Sequence, residues 1–174
     1  MSTETALKTA ILLMGIQASG KSTFYEERFV QTHIRISLDE LHTRNKERLL
    51  LEECIANGAS FVVDNTNPTA SDRARYIEPA KAAGYHITGI FFKSVLAECM
   101  ARNKSRTGKG RIPEVALAAT SNKLEMPAWQ EGFDELYYAY IEGGEFILEE
   151  WREPGEIREI YELKFRLLNT CFTQ

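Results

Sequence analysis

The sequence predicts an α/β fold in which a parallel sheet of about five strands is flanked by helices. Short apolar runs alternate along the chain with helix-length amphipathic segments, the rhythm of βαβ units. The first apolar run, Thr9–Met14, passes into a glycine-bounded loop and then a helical pattern, as the opening unit of such a sheet does. Length fits as well: 174 residues, 44% of them hydrophobic, can bury the core of one domain.

Each element can be justified in turn. Thr9–Met14 reads as a buried strand and residues 20–29 as the helix after it. Residues 33–37 form a second short strand. A charged amphipathic helix is expected from Asp39 to about Asn57, with Leu41, Leu49, Leu50 and Ile55 inward and Asn57-Gly58 as its stop. Phe61–Asp64 is a third strand, and Asn65-Thr66-Asn67-Pro68 signals a turn into a helix over residues 70–83, closed by Gly84. A fourth strand spans residues 85–92. The helix of residues 96–105 turns basic until Gly108 and Gly110 break it. A further helix is expected at 113–124, a loop at 127–133, a fifth strand at 146–151 after Gly143-Gly144, and a C-terminal helix within 155–174. With no linker or repeat in view, residues 1–174 are expected to form a single domain.

Composition excludes several classes. Near-average usage argues against a disordered or fibrous chain. No apolar stretch approaches the ~18 residues a membrane helix requires, so no membrane partner is expected, and the oligomeric state stays open. The polar start lacks a legible leader, and the odd, widely spaced Cys54, Cys99 and Cys171 suit a reducing, cytoplasmic setting. Net charge is −4, so contact with a polyanion has to be local.

Residues Gly15, Ile16, Gln17, Ala18, Ser19, Gly20, Lys21 and Ser22 match G-x-x-x-x-G-K-[ST] in full, with Thr23 following. Glycines let the backbone wrap around phosphate, whose oxygens accept from consecutive N–H groups at a helix N-terminus. The Lys21 ammonium is placed to reach the β- and γ-phosphates, and the Ser22 hydroxyl to ligate Mg²⁺. The motif implies a P-loop NTPase fold and a nucleoside-triphosphate site.

Three further segments bear on the chemistry. Asp39 follows the second strand, at a carboxyl edge where open α/β sheets bind ligands. There it can take a proton from an attacking hydroxyl, or merely cap the helix beginning at Glu40. Asp64 closes the third strand and can support Mg²⁺ through water, or serve only as a turn residue. Residues 102–111 hold five cations and no acid. Arg102 and Arg106, spaced i and i+4, are expected on one helix face as part of a mobile basic lid over about residues 94–111. Trp129, Trp151 and Leu136-Tyr137-Tyr138-Ala139-Tyr140 suit either base stacking or packing, and packing is the commoner use.

The set Gly15–Thr23, Asp39, Asp64-Asn65-Thr66-Asn67-Pro68 and Arg73-Ala74-Arg75-Tyr76 resembles the kinase domain of polynucleotide 5′-hydroxyl kinases, over about residues 10–133. The resemblance to zeta-toxin-type kinases is looser. It implies a nucleoside-monophosphate-kinase-like P-loop fold, with ATP and Mg²⁺ on Lys21 and Ser22. It further implies Asp39 as the general base for a 5′-OH of DNA or RNA, and Arg102 and Arg106 as lid arginines on the donor phosphates. Asn65 and Thr66 would line the acceptor side. Two positions depart from the family: His42 stands where a basic grip three residues after the base is arginine, and Leu38 precedes the base. Arg73 and Arg75 can compensate by gripping the acceptor, or only pair with Glu78 and Asp72. No phosphatase or ligase motif is legible, so the kinase module is expected to stand alone. A small-molecule or nucleotide-sugar kinase, and an ATP-binding regulatory module, are the alternatives.

Overall fold

A computed structural model describes residues 7–152; the expected C-terminal helix at 155–174 lies outside the described residues. The chain runs β1 (Thr9–Met14), α1 (Lys21–Arg28), β2 (Ile34–Ile36), α2 (Leu38–Leu41), α3 (Arg44–Asn57), β3 (Phe61–Asp64) and α4 (Ala70–Ala82). It continues through β4 (His86–Phe92), α5 (Leu96–Lys104), α6 (Glu114–Lys123), β5 (Glu135–Glu142) and β6 (Glu145–Glu150), with single 3-10 turns at Gly108–Gly110 and Trp129–Glu131.

The sheet order is β2-β3-β1-β4-β5-β6. The first five strands are parallel, and β6 is antiparallel to β5. The sheet is therefore mixed and six-stranded, not parallel with about five. The run at 136–140 is itself the fifth parallel strand: Leu136 and Ala139 are buried, and Tyr138 packs on the core of one face while Tyr137 packs on the other. The strand expected at 146–151 is present as β6, but it is the sixth strand and runs antiparallel. Gly143 and Gly144, at φ 60° and 85°, make a two-residue turn. That geometry folds the chain straight back into a hairpin, leaving no room for the crossover a parallel strand needs.

Burial on both faces explains the unbroken apolar runs of β1 and β3. Ala10, Leu12, Met14, Phe61 and Val63 meet Leu51, Cys54, Tyr76, Ile77 and Ala80 of α3 and α4. Ile11, Leu13, Val62, Ile90 and Phe92 meet Phe24 and Tyr25 of α1. Each fully buried Leu, Ile or Phe contributes about 1.5–3 kcal/mol, which makes the central strands the rigid part of the sheet. Among the described cysteines, Cys54 and Cys99 are free and buried. No helix among the described residues is long and apolar enough to cross a membrane.

Two helix boundaries differ from expectation. The helix expected from Asp39 to Asn57 is interrupted at His42, whose φ of 66° ends α2, and Thr43 then caps α3 by accepting from the Lys46 N–H at 3.3 Å. Helix α5 stops at Lys104, so Arg106 lies past its end rather than on a shared face with Arg102.

Candidate functional site

The carboxyl ends of β1, β2, β3 and β4 deliver their loops to one edge of the sheet, where Lys21, Ser22, Arg35 and Asp64 come together. The loop after β1 is fixed by its backbone. Gly15 adopts φ 147°, and a Cβ there would come within 2.9 Å of Ser94 Oγ and 3.2 Å of Phe92 Cβ, so only glycine fits. Gly15 N–H donates to Thr66 O at 3.1 Å, and Ile16 N–H to Ser94 Oγ at 3.1 Å. Gly20, at φ 106°, immediately precedes α1.

Lys21 is buried inside this loop, with Nζ donating to the carbonyls of Gly15 (2.9 Å) and Ile16 (2.8 Å) and, at 3.4 Å, to Ser19 Oγ. Burial pushes its ammonium down to about 8; Asp64 and Asp39 oppose that fall, whereas Arg106 adds to it. Ser22 Oγ donates to Asp64 Oδ2 at 2.9 Å. Both are hard oxygen donors, a set that suits Mg²⁺. No group of three or more His, Cys, Asp or Glu among the described residues could hold a metal. A divalent ion here would take its remaining ligands from phosphate and water.

Arg35 of β2 is a site residue that the sequence reading missed. Its Nε and Nη2 donate to Asp64 Oδ2 at 3.0 and 2.5 Å, its Nη1 donates to Glu40 Oε1 at 2.6 Å, and the guanidinium lies 5.1 Å from the centre of the Tyr25 ring. Burial opposes its charge, but Asp64, Glu40 and Glu26 outweigh burial and hold it above its ordinary range. The available signal was a lone cation inside the apolar strand Ile34-Arg35-Ile36, which needs an acid within reach.

Asp39 lies exposed in the first turn of α2. It does not cap that helix: Ser37 occupies the cap position, and its side chain makes no cap bond. Instead the Leu38 N–H donates to Asn65 Oδ1 at 2.8 Å. Asn65 Nδ2 donates to Glu47 Oε1 (2.6 Å) and to Tyr76 Oη (3.2 Å), so its amide is committed within the protein rather than free for an acceptor. Thr66 contributes its carbonyl to the loop after β1. His42 is exposed beyond Asp39.

Arg73, expected to grip an acceptor, is 0% exposed. It makes a two-pronged ion pair with Glu131 (Nε and Nη2 at 2.6 and 2.7 Å), and its Nη1 donates to the carbonyls of Asn67 and Glu125. Every face of that guanidinium is used to pin the 125–131 segment onto α4, and none reaches the cleft. The neighbouring Arg75 pairs with Asp72 at 3.5 Å.

From α5, Arg102 Nε donates to Ala18 O at 2.7 Å, which places it on the loop after β1, and Arg106 is exposed past the end of that helix. Buried Asn103 exchanges bonds with the Ile112 backbone (2.6 and 2.9 Å) and so closes the glycine-containing segment between them. Of the aromatics, Trp151 is buried against Phe91, and Trp129 is 41% exposed.

Comparison with known proteins follows the same lines. Residues 11–127 match a family described as an AAA domain. A bifunctional polynucleotide phosphatase/kinase of Schizosaccharomyces pombe is 31% identical over 132 residues, covering 72% of this chain and 32% of that protein. The chain thus spans about a third of the length of the curated relatives it matches. Among solved structures, a gluconokinase from Sinorhizobium meliloti has a TM-score of 0.57 at 20% identity, over 78% of this chain and 83% of that one. A chain of the Pnkp1/Rnl/Hen1 RNA repair complex also has a TM-score of 0.57 at 20% identity, over 71% of this chain and 47% of that one. At these identities the two structures share the fold with this chain.

Proposed function

The chain belongs to the AAA-domain family of P-loop proteins, and on that premise we propose that it is a kinase that transfers the γ-phosphoryl group of ATP to the 5′-hydroxyl of a DNA or RNA strand. The observation that carries this reading is the loop after β1 with Lys21 buried inside it, Ser22 Oγ bonded to Asp64 at its mouth, and Arg102 resting on its Ala18 carbonyl. A carboxylate on the acceptor side and cations on the donor side are what in-line phosphoryl transfer requires. The 31% identical relative, itself named a polynucleotide phosphatase/kinase, supports the nucleic-acid acceptor.

In this mechanism Asp39 accepts the proton of the attacking hydroxyl. The new O–P bond forms as the bond from the γ-phosphorus to the β,γ-bridging oxygen breaks, and ADP leaves. Lys21 turns from the loop carbonyls to the phosphate oxygens. Arg102 and Arg106 take up charge on the moving group, and such preorganised electrostatics are usually the largest single contribution to rate. Ser22 would hold Mg²⁺ directly and Asp64 through water; the ion, when bound, neutralises phosphate charge.

The test is incubation with γ-labelled ATP, Mg²⁺ and a panel of 5′-OH DNA, 5′-OH RNA, nucleosides and sugars. Label is expected on the strands, and Asp39→Asn is expected to lower transfer about 10²–10⁴-fold while ATP still binds. Label confined to small sugars would overturn the acceptor class, and an unimpaired Asp39→Asn would overturn the base. One observation favours a small hydroxyl acceptor as a second reading: Arg73 is buried and His42 stands in place of a fixed cation, so two of the positions expected to grip a strand offer it no fixed charge. Salt separates the two, because binding of a strand weakens as salt rises and binding of a neutral acceptor hardly changes.

A further inference from the structure

We propose that the buried Glu47–Tyr76–Asn65 cluster is a positioning device for Asp39: it fixes the direction of the Asn65 amide so that its oxygen caps the turn carrying the base. What Asp39 does chemically rests on the function proposed above; the positioning itself does not.

Helix α2 has four residues and is closed by bonds from the His42 N–H to Leu38 O at 2.7 Å and from the Glu40 and Leu41 N–H groups to Ser37 O at 3.2 and 3.0 Å, none of which meets the Leu38 N–H. Its first N–H groups are orphan donors. Ser37, in the cap position, satisfies none of them with its side chain. The Leu38 N–H is met instead by Asn65 Oδ1, 27 residues away and one position from Asp39. An amide can supply that oxygen only if its NH₂ end is equally well placed on the other side.

The cluster imposes that direction. Glu47 and Tyr76 are 4% and 3% exposed. Tyr76 Oη donates its single proton to Glu47 Oε1, so its lone pairs are left to accept, from Asn65 Nδ2 at 3.2 Å and from Arg44 Nη1 at 3.2 Å. Glu47 Oε1 also accepts from Asn65 Nδ2 at 2.6 Å, while its second oxygen takes Arg44 Nη1 at 2.8 Å. Burial and the adjacent carboxylate push the Tyr76 hydroxyl well above its ordinary range, so it stays a donor throughout the working pH range. A flipped Asn65 amide would set its oxygen against a carboxylate and its NH₂ against the Leu38 N–H, losing both contacts at once. On the other flank of Asp39, Glu40 is held by Arg35, which is anchored on Asp64. Two consecutive residues at the end of β3 therefore fix both neighbours of the base.

The experiment uses the full chain as Glu47→Gln, Asn65→Asp and the double variant. It reads the Leu38 amide exchange rate by NMR, the melting temperature, ATP affinity, and kcat on a 5′-OH oligonucleotide. In Glu47→Gln the amide direction is no longer imposed. Leu38 exchange is expected to rise about 10-fold and kcat to fall about 10-fold, with ATP affinity unchanged. Asn65→Asp sets two carboxylates face to face and is expected to lose roughly 100-fold in kcat. The double variant restores a donor–acceptor pair, because the carboxylate introduced at position 65 accepts both from the amide introduced at position 47 and from the Leu38 N–H. It is expected to recover Leu38 protection and most of kcat. Unchanged Leu38 exchange in Glu47→Gln would overturn the proposal. So would a double variant that regains its melting temperature without regaining Leu38 protection. If the wild type labels no strand, the acceptor assignment fails, and Leu38 exchange in the same variants still decides the positioning role.

Discussion

The loop between β1 and α1 is shaped mainly by its own residues, with Gly15, Ala18 and Gly20 at positive φ and a lysine bonded to carbonyls five and six residues before it. Distant residues only brace it, through Thr66 O, Ser94 Oγ and Arg102. The turn bearing Asp39, after β2, is organised by residues distant in sequence. Its first amide is held by Asn65, and Asn65 is held in turn by Glu47 and Tyr76 from two other helices. A backbone-built site depends on a few irreplaceable residue types at fixed spacing. A side-chain-built site depends on complementarity among donors and acceptors, which many sequences can satisfy. The loop after β1 therefore carries a strong local signature, and the turn bearing Asp39 carries a weak one.

This contrast can be broken in several ways. Arg73→Ala gives the largest expected change in stability. It leaves Glu131 without its partner, which should cost about 3–5 kcal/mol and lower the melting temperature by roughly 10 °C. Activity per folded molecule and its salt dependence should stay near wild type, because Arg73 does not face the cleft; a changed salt slope would return it to the acceptor side. Asp39→Asn should lower transfer about 10²–10⁴-fold, the usual contribution of a general base, with little change in melting temperature or in ATP affinity. Arg106→Ala should cost about 10²–10³-fold in kcat, with nucleotide affinity changed far less, as measured by steady-state kinetics beside equilibrium binding.

The smallest effect concerns Lys21. Burial holds its pKa at about 8 in the nucleotide-free chain, and phosphate oxygens would raise it again. At about pH 8.5 a share of the free protein carries a neutral amine, so binding must take up a proton; at about pH 6.5 it must not. ATP affinity should accordingly decline above pH 8, by no more than about 1.4 kcal/mol per pH unit. Calorimetry in two buffers of different ionisation heat would show a buffer-dependent enthalpy at the higher pH only. A buffer-independent enthalpy at both would mean that the ammonium is not desolvated by the loop.

How legible the molecule was in its sequence follows the same division. Thr9–Met14 and Phe61–Asp64 coincide with strands because both faces of the central sheet are buried, which leaves unbroken apolar runs. Towards the edge the same logic fails. Tyr137, Tyr138 and Tyr140 mix polar and apolar character, and only their pairing with β4 and β6 makes them a strand. The break at His42 was hidden because the helical periodicity continues across it; Thr43, a good cap three residues before Lys46, was the available sign. Arg73 looked like a surface cation in a basic motif, and its burial depends on Glu131, 58 residues further on.

By itself, then, the sequence determined the α/β class, the central strands and the phosphate loop. In each case the determining physics is local: burial pattern within a strand, and backbone freedom at Gly15 and Gly20. The tertiary structure decided that Asn65 and Arg35 hold the flanks of Asp39, that Arg73 faces inward, and that β6 runs antiparallel. Those outcomes depend on which donors and acceptors meet across the fold, and a one-dimensional pattern of residue types does not carry that information.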